Sequence, residues 1–497
     1  MKNWILFLIT AVVVFLLAML AYSIMDRKNE AKYAYQPKVE IGNIEPRDSI
    51  WGLNYPRQYQ SYMKTKDTSF HSMYNTSGHV AVLEEDPELV ILWAGYAFSK
   101  EYNQPKGHAH AVEDIRQILR TGGPMEPGEG PMPSTCWTCK SPDVPRLMKE
   151  IGVTEFYSKK WSDLGAEVIN PIGCADCHNP ETMNLTITRP ALVEAFEAMG
   201  KDVNAASHQQ MRSLVCAQCH VEYYFDKDAP DKKGAQYLTF PWKDGMDVES
   251  VESYYDKLDF ADWVHPISKT RMLKAQHPDY ELFSLGVHAK RGVSCADCHM
   301  PYKTEGGQKF TDHHIGSPLS NVENSCFVCH REKKEDLITD VYDRQRTIKK
   351  GSQNLMRLIA KAHIEAGKAW ELGASEEQMK PIQEGIRHAQ WRWDYAVASH
   401  GAAFHAPLPT SSIVTSGTSI IEESRLQLAR LLADLGHNKP VEMPDFNDTE
   451  ALQAYIGLDM EKERADKAQF LQEVVPKWLE EGKKREAGYS IEMISNE

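Results

Sequence analysis

The chain has 497 residues, 25% of them charged and 42% hydrophobic, with a formal net charge of -14. That is ordinary soluble composition, and it is long enough to build a large core. The acidic balance and the lack of any basic run exclude nucleic acid, whose phosphates nothing would neutralise over a wide surface. An anionic substrate would need a locally positive pocket, because the global field repels it.

From Trp4 to Met25 there is no charged residue, and Lys2 precedes the run. A cleavable signal needs about 7–15 apolar residues and a spanning helix about 20. Residues 1–29 therefore read as a signal peptide or membrane anchor, with the length favouring the anchor. The small pair Ala21 and Ser23 leaves cleavage open. Either reading exports residues 30–497, which read as a single catalytic domain facing the periplasm. Residues 30–135 are punctuated by Gly, Pro and Trp, with a helical stretch from Val112 to Leu119.

All ten cysteines then fall into five pairs at i, i+3: Cys136/Cys139, Cys174/Cys177, Cys216/Cys219, Cys295/Cys298 and Cys326/Cys329. Thiol redox, metal ligation and thioether attachment of haem all use this spacing. The next residue decides between them. It is His178, His220, His299 and His330 in four cases, the Cys-x-x-Cys-His pattern of haem c attachment. Two thiols reach the haem vinyl groups while the following imidazole sits under the iron. The fifth motif, Cys136-Trp137-Thr138-Cys139-Lys140, places an amine where the others have imidazole. An amine binds iron only when deprotonated, a costly choice that an electron-transfer haem would not need.

The chain has 19 His, and low-spin haems take a ligand on each face, so the four histidine motifs create a demand for four more. Candidates lie at His108 and His110, His265, His277, His288, His313 and His314, and His400 and His405; spacing does not choose among them. After residue 335 the pattern turns helical. Leu355, Leu358, Ile359 and Ala362 sit at helical spacing. A capping box from Ser375 to Gln378 opens a helix running into Trp391, Trp393 and Tyr395, an aromatic stripe expected in the core. A further helix spans Ile420 to Leu435 with Gly436 as its C-cap, and Asn447 with Glu450 opens a last one. The fold expected is mainly α: one multihaem cytochrome c domain, motifs at 136–330, long C-terminal helices at 335–497.

These motifs, together with Arg120-Thr121-Gly122-Gly123-Pro124, Cys219-His220-Val221-Glu222-Tyr223, Lys274-Ala275-Gln276-His277-Pro278 and Trp391-Arg392-Trp393-Asp394, resemble those of the pentahaem cytochrome c nitrite reductases that form ammonia. The resemblance runs from about residue 50 to 480. It implies five haem c groups and a calcium ion, with Lys140 as proximal ligand of the catalytic haem and Arg120, Tyr223 and His277 on its distal side. It pairs His178 with His313, His220 with His108, His299 with His405, and His330 with His288. It assigns calcium to Glu222, Tyr223, Lys274 and Gln276, Tyr and Lys through backbone carbonyls; oxygen donors suit that ion.

Nitrite would then meet Arg120 and a protonated His277, the positive pocket that the net charge withholds. The resemblance also implies a role in nitrogen respiration, fed by a membrane quinol-oxidising multihaem cytochrome, and the long C-terminal helices suit the interface of a homodimer. Two rival readings share the motifs. One is reduction of hydroxylamine, sulfite or a related oxoanion at the same haem. The other is a non-catalytic electron-transfer cytochrome, against which Lys140 argues.

Overall fold

The computed structural model describes residues 2–34, 37–43, 45–229, 234–305 and 307–494. The apolar N-terminal run forms the helix Lys2–Ala34. Within its segment Lys2–Lys28 an 18-residue window has a mean hydropathy of 2.9, and none of that window is buried against the rest of the chain. At 1.5 Å per residue that segment is roughly 40 Å long, enough to cross about 30 Å of hydrocarbon.

Three long helices dominate the C-terminal half: Lys334–Glu371, Glu376–Ala398 and Pro407–Asp434. Each packs on the other two. The first buries Leu355, Ile359, Ala362 and Ala366, one face at three- and four-residue spacing. The capping box at its successor forms as expected, with Ser375 Oγ accepting from Gln378 N at 3.2 Å and Gln378 Oε1 accepting from Ser375 N at 2.9 Å. Trp391, Trp393 and Tyr395 are buried in the core, and their polar atoms donate to the carbonyls of Val248, Ser352 and Met246. Each such side chain contributes about 1.5–3 kcal/mol by leaving water, and pairing its N–H or O–H avoids the matching cost.

Two expectations are corrected here. The helix placed at Ile420–Leu435 begins at Pro407. Its first half, rich in Ser, Thr and Gly, has low helix propensity and is held by packing, with Gly417 admitting Leu355 and the Ala389 carbonyl. Gly436 closes it with φ +88°. The helix near Asn447 is Thr449–Tyr455, capped by Asp448, and it is not the last. Met460–Glu473 and Val475–Ala487 follow it. They return to the motif-bearing half, where Phe470 and Trp478 join Trp137, Trp161 and Trp242 in a second core. The stretch near Val112 is helical as Ala111–Gln117. Among the described residues the strands form only five two-stranded antiparallel ribbons, such as Tyr224–Asp226 against Tyr237–Thr239.

Candidate active site

The five cysteine motifs sit on short turns locked to one another by their own intervening residues. Trp137 stacks on Trp161 at 4.8 Å and donates to its carbonyl, which fixes the first motif in the core. Arg189 donates to the Thr138 and Ser141 carbonyls and to Asp176 Oδ1, clamping the first motif onto the second. Gln218 of the third motif donates to the Asp176 carbonyl at 2.8 Å. Arg212 pairs with Asp297 of the fourth at 2.9 Å, and Ser213 Oγ accepts from Cys295 N at 3.1 Å. Ser325 Oγ donates to the Cys298 carbonyl at 3.1 Å, joining fourth to fifth.

All ten cysteines are free thiols rather than disulfides. Among the described residues no group of three or more His, Cys, Asp or Glu is arranged to hold a metal ion. The motifs instead open onto one continuous cavity of about 1620 Å³, lined by nine of the cysteines; the tenth, Cys329, is exposed. That exceeds the roughly 300–1,000 Å³ of a single small-molecule site.

Four pairs of histidine rings face each other across this cavity. The centroid separations are 6.2 Å for His108 and His220, 6.2 Å for His178 and His313, 6.2 Å for His299 and His405, and 6.4 Å for His288 and His330. An iron between two imidazoles, each nitrogen about 2 Å from the metal, needs about this spacing once the ring radii are added. Iron takes neutral imidazole, and burial pushes His108 down to about 3 and His313 and His405 to about 4. The Nδ1 atoms of His178, His299 and His313 lie 2.8–2.9 Å from backbone carbonyls, which fixes their rings. Gly286 and Gly401 clear the space that His405 occupies, since a side chain at either would collide with it. The residues present thus fit haem at all four places.

Other candidate histidines go elsewhere. His265 stacks on His363 at 3.8 Å in the core and bonds the Ile91 carbonyl. His110 meets Glu113 and the Lys66 carbonyl. His400 lines the cavity without facing a second ring.

Lys140 also lines the cavity, and among the described residues its amine has no hydrogen-bond or ion-pair partner. His277 lies within its field, and Arg120 and Tyr223 within that of Cys136 of the same motif; all three are on the cavity wall, Tyr223 and His277 with ring centroids 6.4 Å apart. Arg120 comes from the short turn Leu119–Thr121, and its guanidinium lies 3.9 Å above the Phe98 ring with Nε unbonded. It forms no ion pair with any described carboxylate, and burial lowers it from the usual arginine value. A buried, unpaired guanidinium is a site for an anion. Burial first and Lys140 next push His277 well below the ordinary histidine value. Arg120 therefore carries the positive charge of the pocket.

Behind the pocket, Glu222 is fully buried, and its oxygens accept from Tyr255 Oη at 2.9 Å and Gln276 N at 2.6 Å. Those donors are neutral, so the carboxylate lacks a counter-charge that a cation among Glu222, the Tyr223 and Lys274 carbonyls and Gln276 would provide. Gln276 Nε2 already donates to the Lys274 carbonyl at 3.1 Å, which brings two of these donors together. The Lys274 ammonium turns away to Asp394 Oδ1 at 2.8 Å and lies 5.0 Å from the Phe98 ring, on which Arg120 rests. Sequence reasoning missed Phe98, which carries no local signal, and Asp394, which stands in the Trp391-to-Asp394 motif with no role assigned to it.

Comparison with known proteins agrees with this geometry. The family model for cytochrome c552 matches residues 48–487. Cytochrome c-552 of Parabacteroides distasonis is 55% identical over 481 residues, covering 97% of this chain and 96% of its own. The homologous protein of Porphyromonas gingivalis is 52% identical over 484 residues, covering 97% and 96%. Among solved structures, the catalytic subunit of cytochrome c nitrite reductase from Desulfovibrio desulfuricans, described with two calcium sites, superposes with a TM-score of 0.73 at 32% identity, over 85% of this chain and 90% of that one. The chain belongs to the cytochrome c552 family.

Proposed function

We propose that this protein is an ammonia-forming cytochrome c nitrite reductase of the periplasm, with residues 30–497 as its catalytic domain. The observation that carries the reading is the contrast at the Lys140 motif. Four motif histidines face a second histidine, whereas Lys140 shares its stretch of cavity with a guanidinium, an imidazole and a phenol. An electron-transfer protein needs no such opening. The same arrangement would admit hydroxylamine or sulfite, but a single buried guanidinium suits a small monoanion best.

The reaction consumes nitrite, six electrons and eight protons and yields ammonium and two waters. Cys136, Cys139 and Lys140 would hold a haem, which would supply iron redox chemistry and the electrons for the reduction. Arg120 holds the anion by charge-assisted hydrogen bonds to its oxygens. His277 and Tyr223 donate protons to those oxygens as each N–O bond breaks, and their burial keeps competing water away. Glu222, with Tyr223 and Lys274 carbonyls and Gln276, would hold calcium, which fixes the backbone of Tyr223 and of the Gln276–His277 dipeptide.

The axial pairs His178/His313, His220/His108, His299/His405 and His330/His288 would carry electrons to Lys140. The unburied helix Lys2–Lys28 supports attachment to the membrane, close to a quinol-oxidising multihaem cytochrome as donor. Exposed Leu408 and Leu426, 18 residues apart on one helix face, support a homodimer through that face. The test is stoichiometric. Purified holoprotein should hold five covalent haems by pyridine haemochrome assay and release one ammonium per nitrite for six electrons consumed. Four haems, or a product other than ammonium, contradicts the reading.

A further inference from the structure

The third motif sits at the junction of the others. Cys219 lies beside Cys139 of the first motif, and Cys216 lies beside Cys295 of the fourth. Gln218 holds the second. The haem that His220 would ligate therefore adjoins those of the first, second and fourth motifs.

His220 differs from the other motif histidines in what its second ring nitrogen meets. His178 and His299 face neutral backbone carbonyls. His330 lies 3.4 Å from Glu332, whose carboxylate is 58% exposed and screened by water, against 19% for Asp279. His220 Nδ1 faces Asp279 Oδ2 at 3.3 Å, a carboxylate held in place. Ser399 Oγ donates to Asp279 Oδ1 at 2.6 Å, and the Asp279 N–H donates to the His277 carbonyl at 2.6 Å. The next N–H, of Tyr280, donates to the His220 carbonyl at 3.1 Å. The carboxylate thus stands on the same turn as His277 of the substrate pocket.

We propose that Asp279 tunes the junction haem: by accepting the Nδ1 proton of His220 it makes that imidazole a stronger donor, stabilises ferric over ferrous iron, and holds this haem at a lower reduction potential than a backbone-bonded neighbour would have. This rests on His220 being an axial ligand. A carboxylate behind a ligating imidazole raises its basicity, and a stronger donor favours the higher oxidation state. An electron at the junction is then poised to leave for the Lys140 site rather than remain. Asp279 touches neither substrate nor iron, so it is a positioning residue.

The test is a potentiometric titration of the five-haem holoprotein, followed haem by haem by electron paramagnetic resonance. In Asp279→Asn one low-spin haem should titrate at higher potential, its redox equilibrium moved toward the ferrous form by about tenfold, the lower end of what losing a partner of a metal-bound histidine costs. The other haems should stay where they were. Ser399→Ala keeps the carboxylate but removes its hydroxyl donor, so the same haem should move the opposite way. If Asp279→Asn fails to mature, the Ser399→Ala shift decides alone. No shift, or an equal shift of several haems, overturns the proposal. Near-infrared magnetic circular dichroism counts bis-histidine haems independently of potential. Four in the parent protein preserve the ligand reading whatever the titration shows; three would mean that the ligation fails, and the tuning with it.

Discussion

Four of the five attachment motifs present an imidazole to a second imidazole about 6.2–6.4 Å away, ring to ring, while the fifth presents an amine to a pocket with an arginine, a histidine and a tyrosine. The two kinds of site share one cavity and one style of scaffolding, with motif residues clamped by Arg189, Gln218 and Arg212. They differ in what is left unsatisfied. At the paired sites each ring faces a second ring, and carbonyls or a carboxylate hold those of His178, His299, His313 and His220. At the Lys140 site the buried Arg120 guanidinium has the carboxylate of Glu101 in its field but forms no ion pair with any described carboxylate, and an anion would complete it. A facing pair of rings marks a place for passing electrons; an unpaired donor marks a place for chemistry.

Removing the proton donor should strain that contrast most. His277→Ala should lower nitrite kcat by about a hundredfold or more with a much smaller change in KM, because a positioned general acid acts only as bonds break. Steady-state kinetics on the purified variant reads this directly. Making the fifth motif resemble the others comes next: Lys140→His keeps both thiols, so five haems should remain by haemochrome assay, while turnover falls by about ten- to a hundredfold as the axial donor changes. Unchanged turnover would strip the lysine of any special role. Arg120→Ala deletes the anion contact and should cost about ten- to a hundredfold in kcat/KM, as expected for a hydrogen bond to a charged group. None of the three should alter the spectrum of the paired haems.

The smallest effect is one of stability. Lys467 is buried beneath the Arg120 turn, donating to the Arg116 carbonyl at 3.1 Å and to Thr121 Oγ1 at 2.8 Å. Burial pushes its amine from the ordinary 10.5 down to about 7. Between those values the unfolded chain holds a proton that the folded chain has released, so stability rises with pH across that window. Denaturant midpoints of the parent should climb from pH 7 to 10 relative to Lys467→Met; parallel profiles would show that this lysine does not titrate as described.

Much of this was legible in the sequence, for identifiable reasons. The attachment motifs are local, because two thiols and an axial ligand must meet one macrocycle, so their spacing survives as a pattern. The capping box at Ser375 and the glycine at Gly436 were equally local. The distal partners were not. His108 lies far from His220 in the chain, and only the family resemblance separated it from His110, whose ring turns to Glu113. The first half of Pro407–Asp434 was hidden because packing, not propensity, makes it helical. The downward pull on His277 was hidden as well, since desolvation depends on the whole fold and on no neighbour in sequence.

The spin state of the haems tests the central claim most directly. Low-temperature electron paramagnetic resonance and the electronic spectrum of the oxidised holoprotein should show four low-spin haems and one high-spin haem. Adding nitrite should convert the high-spin signal alone, and should fail to do so at the same concentration in Arg120→Ala. Five low-spin haems in the parent protein, or a nitrite response from one of the paired haems, would contradict the assignment of Lys140 as the open site.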